Sequence, residues 1–181
     1  VSIWPDLVRH WGSTSSERAR PYACDRLLAE SDPALFRAVA IEAPSAVVFR
    51  WLCQLRAAPY SYDLLDNRGR RSPQKLTPGL EQLRPGQRVM TIFELVEFET
   101  DRSITLRHRG PLFGELAVTY RVDDAGPGRC RLVVKLLPGS SRGPLGAVAR
   151  LLLPPGDLVM MRRQLLNLKR LAEGSPCDGA G

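Results

Sequence analysis

At 181 residues, with 44% hydrophobic and 25% charged positions and a mean hydropathy of -0.17, the chain has the length and composition of one globular domain. That balance argues against a disordered chain. No stretch approaches the ~20 consecutive apolar residues of a bilayer crossing, and the longest candidates are broken by Arg150, Pro154 and Pro155. The formal charge of +7, concentrated toward the C-terminus, permits anionic partners without establishing one.

The opening Val-Ser-Ile-Trp lacks a basic region followed by an apolar core and does not read as a secretory signal. Residues 1–34, with Trp4, Trp11, Pro21 and many small polar side chains, are expected to form an N-terminal extension with one or two short helices that wraps the domain. Residues 35–174 form the domain proper, and 175–181 a flexible tail. Phe36 to Glu42 reads as a strand stopped at Pro44, which suits the first turn of a helix. That helix, Pro44 to Arg56, places Val47, Val48, Trp51, Leu52 and Leu55 on one buried face. A second short helix is expected over 61–68, followed by a long connection punctuated by Pro73, Pro78, Pro85 and Gly86.

The remainder reads as sheet. Gln87 to Glu99, Ile104 to Arg109, Leu116 to Asp123 and Arg129 to Leu137 are β-rich runs separated by turn residues, the pattern of an antiparallel meander. After a Gly/Pro loop and a short apolar segment, Pro154-Pro155-Gly156 precedes a strong helix from Asp157 to about Glu173. Its stripe of Leu158, Met161, Leu165, Leu168 and Ala172 must face something apolar. One strand, two helices, a run of antiparallel strands and a long final helix is an α+β order, since a doubly wound sheet would alternate strand and helix.

Three segments carry a family likeness: VAIEAPSAVVFRWL (Val39 to Leu52), YSYDLLDN (Tyr60 to Asn67) and GDLVMMRRQLLNLKRLAE (Gly156 to Glu173). Together they resemble the SRPBCC superfamily, the START-like group of polyketide cyclases, lipid-transfer domains and ligand carriers. HWGSTSSE (His10 to Glu17) is similar to the N-terminal extension of some bacterial members. The resemblance implies a helix-grip fold, a curved antiparallel sheet wrapped around the long C-terminal helix, and a hydrophobic cavity. It implies no particular reaction, because the group includes carriers, cyclases and dehydratases, hydrolases and co-chaperones. Arg56-Ala57-Ala58-Pro59 replaces the glycine-rich approach to the tyrosine motif seen in many relatives.

Candidate chemistry is sparse. Gly139-Ser140-Ser141-Arg142-Gly143 matches a hydrolase nucleophile elbow, but that fold needs its histidine after the serine and both His10 and His108 precede Ser141. Two separated histidines, with Cys24, Cys53, Cys130 and Cys177 standing singly, argue against a metal site or a disulfide framework. Reduced thiols and a cytoplasmic location are expected. Walker and Rossmann glycine patterns are absent, so no cofactor is expected.

The cluster Tyr60, Tyr62, Asp63, Asp66 and Asn67 stands out. On a helix Tyr60, Asp63 and Asn67 share a face, and a carboxylate beside an apolar cavity would have a raised pKa suited to acid–base work. The plainer alternative, in which Asp63 braces the helix and the tyrosines pack, is the stronger. Strand alternation places Ile104, Leu106 and His108 on one face, and Tyr120 with Val118 and Val122. His108 is then a candidate proton carrier, although a hydrogen-bonded structural role is the commoner one.

Three functions are therefore carried forward. The first is a module that binds a polyketide, lipid or aromatic metabolite, lined by Trp51, Tyr60, Tyr62, Asn67, Leu106, Tyr120, Leu158, Met161 and Leu165. The second is a cyclase or dehydratase in which Tyr60, Asp63 or His108 moves a proton. The third uses the basic surface to bind RNA or anionic membrane; it is the weakest, because the arginines are not interleaved with stacking aromatics, which argues against nucleic acid. A monomer or a homodimer fits each.

Overall fold

The structure, a computed structural model, describes residues 5–28, 30–61, 72–110, 114–140 and 143–175. Its strands follow directly from alternating side chains. In β1 (Leu35–Ile41), Leu35, Val39 and Ile41 turn to one face and join the main core, while Phe36 and Ala38 turn to the other and join a second, smaller one. The same division runs through β5 (Gly114–Asp124) and β6 (Cys130–Pro138), whereas β4 (Ser103–Gly110) gives Ile104 and Leu106 to the main core and turns the Thr105 hydroxyl to Thr119 on the other face. With β2 (Arg88–Val89) and β3 (Phe93–Glu99) they form a six-stranded antiparallel sheet in the order β1-β6-β5-β4-β3-β2.

The expected strand from Gln87 to Glu99 is divided in two. Met90 and Thr91 both take left-handed backbone angles, φ 48° and 68°, and reverse the chain between β2 and β3. Neither is a residue that announces a turn, and the Met90 amide is held by the Leu55 carbonyl at 2.9 Å. Further along, the β3–β4 register slips between Leu95 and Glu97, a bulge of the kind that bends a sheet.

Helices cover the inner face of the curled sheet. α3 (Ser45–Cys53) follows Pro44, buries Val48, Phe49, Trp51 and Leu52, and tightens into a 3-10 turn over Gln54–Arg56. Buried Gln54 then fixes the next segment, exchanging hydrogen bonds with both the amide and the carbonyl of Thr77.

The outer face is covered by the N-terminal segment. α1 (Asp6–His10) and α2 (Ser15–Ala19) lead to a 3-10 turn at Ala23–Arg26, with α2 closed by a Thr14/Glu17 capping box. Tyr22 and Cys24 pack on Phe36, Ala38, Ala117, Val133 and Leu137, and the Cys24 amide donates to Thr119 Oγ1 at 3.0 Å. Where this segment passes the β1 edge, the Trp11 carbonyl accepts from the Ala38 amide. A Cβ at Gly12 would lie 2.1 Å from the Ala38 carbonyl oxygen, so only glycine fits that approach.

The last helix, α4 (Gly143–Glu173), is nearly twice as long as expected. It runs through Pro154 and Pro155 rather than starting after them. Proline keeps helical φ and costs the helix its amide hydrogen bond and some carbonyl clearance. Here tertiary anchoring offsets that cost, because Arg37 reaches the Pro154 carbonyl at 3.3 Å and Asp157 at 2.7 Å. The arrangement is a helix-grip α+β fold.

Candidate functional site

The space between the inner sheet face and α4 brings together polar groups that strand and helix periodicity aim inward. Arg37 occupies an inward position between Leu35 and Val39 in β1. Across the sheet the register Arg37–Val134–Tyr120–Ile104 forms one row. Facing that row, Asp157, Met161, Gln164 and Leu168 recur along α4 at steps of four, three and four, one face of the helix.

Two polar ties result. Tyr120 Oη donates to Gln164 Oε1 at 2.7 Å, and Gln164 Nε2 donates to the Pro59 carbonyl at 2.6 Å, with Met90 Sδ at 3.2 Å from the same nitrogen. Met161 Sδ lies 3.7 Å from the tyrosine oxygen. Burial pushes the Tyr120 phenol far above its ordinary range, with the Asp157 charge adding to the effect, so it stays protonated and acts as a donor.

The second tie is the ion pair of Arg37 and Asp157, whose side chains are 1% and 6% exposed. Arg37 Nη1 also donates to the carbonyls of Arg9 and Phe36, so one guanidinium joins the N-terminal segment, β1 and α4. Its Nε finds no acceptor among the described residues. Burial pushes the Asp157 carboxyl up to about 6 against the opposing pull of Arg37, and depresses Arg37 in turn. Desolvation thus exceeds the attraction on both sides of the pair, the usual balance for a buried salt bridge.

The structure separates the expected site residues. Tyr120 and Met161 meet at the polar tie, with Leu106 buried in the neighbouring row of the same face. Trp51 and Leu165 lie in the closely packed core, where the Trp51 indole donates to Ser175 Oγ at 2.9 Å. Leu158 is half-buried rather than enclosed. Tyr60 is 1% exposed, its ring set edge-on to Trp51 and its carbonyl accepting from Asn167 Nδ2 at 2.8 Å. It holds φ 56°, a left-handed conformation costing on the order of 1 kcal/mol in a residue other than glycine. Tyr62, Asp63, Asp66 and Asn67, with the helix expected over 61–68, lie outside the described residues.

His108 sits on the inner face, 8% exposed, with Nδ1 2.8 Å from the Ile92 carbonyl and its ring tilted against Phe93. A carbonyl oxygen only accepts, so the neutral ring carries its proton on Nδ1 and Nε2 is the basic nitrogen. Gly110 makes room for it: a Cβ there would come within 2.8 Å of the ring. His108 lies four residues along β4 from Ile104, the partner of Tyr120, a separation of about 13 Å along the strand backbone.

Sequence reasoning missed Arg37, Asp157 and Gln164. The signal was present: Arg37 interrupts the inward alternation of an apolar strand, and Asp157 and Gln164 share the helix face of Met161 and Leu168. Among the described residues no group of three or more His, Cys, Asp or Glu is arranged to hold a metal, and no helix is long and apolar enough to cross a membrane.

No family model matches the chain, and no curated protein matches it by sequence. Solved structures do share its fold. Hypothetical protein jhp0584 from Helicobacter pylori is 13% identical with a TM-score of 0.55, covering 88% of this chain and 99% of its own. Protein CV1439 from Chromobacterium violaceum is 13% identical with a TM-score of 0.51, covering 80% of this chain and all of its own. The di-domain ARO/CYC BexL from the BE-7585A biosynthetic pathway reaches a TM-score of 0.49 at 14% identity, over 78% of this chain and 47% of BexL. At these identities the likeness concerns the fold.

Proposed function

We propose that the protein binds an apolar small molecule, a polyketide, lipid or aromatic metabolite, between the inner sheet face and α4. The observation that carries this reading is the polar row of Arg37, Tyr120, Gln164 and Asp157 set inside an otherwise aliphatic interface, beside the thioethers of Met90 and Met161. A core built for stability alone gains little from a buried ion pair, whereas a binding site needs a few fixed donors and acceptors among apolar walls. Methionine side chains turn aside at low cost and shape themselves to irregular ligands.

The inner side chains of the sheet are closely shielded, with Leu106, Val118, Tyr120 and Leu132 at 2% exposure or less. A ligand therefore enters by displacing Met161 and Met90 and by movement of the first half of α4, where Pro154 and Pro155 remove two amide donors. Tyr120 Oη and Gln164 Nε2 then orient its oxygens. The three described cysteines are buried free thiols, which supports a reducing, cytoplasmic setting.

Native mass spectrometry of the purified chain tests the reading. The expected result is an added mass, or binding of a fatty acid or polycyclic phenol when either is supplied, that Met161→Trp abolishes by filling the space and Tyr120→Phe weakens. Failure of the wild-type chain to bind either probe overturns it. Acid–base chemistry on the bound molecule is a second reading, favoured by the fixed tautomer of His108. Turnover of a cyclisable poly-β-ketone that survives His108→Ala unchanged would remove that role.

A further inference from the structure

α4 is apolar on two sides, and only one of them is explained by the sheet. Val148, Leu151, Leu152, Val159 and Leu166 are 51%, 46%, 61%, 54% and 39% exposed. At ~100° per residue, all five fall within about 60° of a single line along the helix. This line is opposite the face that carries Asp157, Gln164 and Leu168. The stripe spans ~27 Å at 1.5 Å per residue.

Arg162, Arg163 and Arg170 are exposed within or beside the same line, and Arg162 stacks over Trp11 at 5.7 Å. Among the described residues no acidic side chain lies on it. Between Gly143 and Ala172 the only carboxylate is Asp157, which is turned inward onto Arg37, and Glu173 is tied to Lys169 and the Glu42 amide.

We propose that this outer face of α4 docks the protein on an anionic lipid bilayer. Aliphatic side chains enter the acyl boundary while the flanking guanidiniums meet lipid phosphates, the chemistry of an interfacial amphipathic helix. A second copy of the chain fits poorly, because pairing this face with itself sets the exposed Arg162 and Arg170 against their own counterparts, with no carboxylate of the described residues on the face to offset them. Nucleic acid fits poorly too, since the described residues of the stripe are aliphatic and Trp11, the ring beside it, is already stacked by Arg162. The face is distinct from the interior site, and either reading stands without the other.

Co-sedimentation of the full chain with phosphatidylcholine vesicles, with and without phosphatidylglycerol, tests the proposal. The chain is expected to pellet with the anionic vesicles and to be released by salt. Leu151→Ser with Leu152→Ser, and separately Arg162→Gln with Arg170→Gln, should each reduce partitioning about tenfold or more, with thermal melts still cooperative. Should the leucine pair fail to fold, Val159→Ser serves in its place with a smaller loss. A wild-type chain that stays in solution with anionic vesicles, or variants that pellet as well as wild type, overturns the proposal. So does a dimer, seen by analytical ultracentrifugation, that the leucine substitutions dissociate; that result assigns the face to a second copy.

Discussion

The two halves of α4 answer to different surroundings. From Gln164 to Ala172 the inward positions are shut against the sheet and α3: Gln164, Leu165, Leu168 and Ala172 are all 2% exposed or less. From Val148 to Val159 the same helix leaves four aliphatic side chains at 46% exposure or more. The two prolines and the Arg37–Asp157 pair belong to the end of the first half, and the Tyr120–Gln164 bond opens the second. Apolar packing is non-directional and holds the second half wherever area is buried, but it does not fix how the helix is rotated where packing thins out. Directional contacts supply that at the crossover, through Arg37 to Asp157 and Tyr120 to Gln164.

The largest effect expected from breaking this arrangement is at Arg37. Arg37→Met strands the Asp157 carboxylate in the interior and should cost about 3–5 kcal/mol of unfolding free energy, measured by urea denaturation. Adding Asp157→Leu should recover most of that loss or exceed wild type, because desolvation outweighs attraction on both partners. A double variant no better than the single would show that the pair stabilises on its own account.

A smaller contrast separates the halves by packing alone. Leu168→Ala removes a side chain with no exposure and should cost about 2–5 kcal/mol. Leu152→Ala, at 61% exposure on the other half, should stay within about 0.5 kcal/mol. Equal losses would mean that the outer stripe is covered in the isolated chain.

Much of this was legible in the sequence. The meander, α3 and the packed half of α4 could be read because their apolar side chains recur with one period and face one core, as Trp51, Leu165 and Leu168 do. The first half of α4 was not, because Pro154-Pro155 is a local stop signal and the Arg37 contacts that override it come from a strand more than a hundred residues away. The β2–β3 reversal was hidden for a similar reason: Met90 and Thr91 have no turn chemistry, and the Leu55 carbonyl that receives the Met90 amide belongs to another element. The inner row was half visible. Tyr120 stood out as a hydroxyl on an apolar face, whereas Arg37 and Gln164 were lost among residues usually left to solvent.

The finest test of the crossover is its dependence on pH. Asp157 has an ordinary value near 3.8 and one of about 6 when folded, raised by burial against the pull of Arg37. The folded chain therefore binds the proton more tightly than the unfolded chain does, and between these values stability falls as pH rises. The destabilising contribution is fully present above the folded value and is relieved as pH falls through it. Lowering the pH from 7 to 5 should accordingly add about 1 kcal/mol from this group, opposite in sign to the loss expected from surface carboxylates such as Glu115, which Arg109 and Arg107 hold below its ordinary range. Urea midpoints across that interval, compared between wild type and Arg37→Met/Asp157→Leu, isolate the contribution. A pH profile of the same slope in both would place the proton elsewhere and leave the crossover held by geometry without a titrating group.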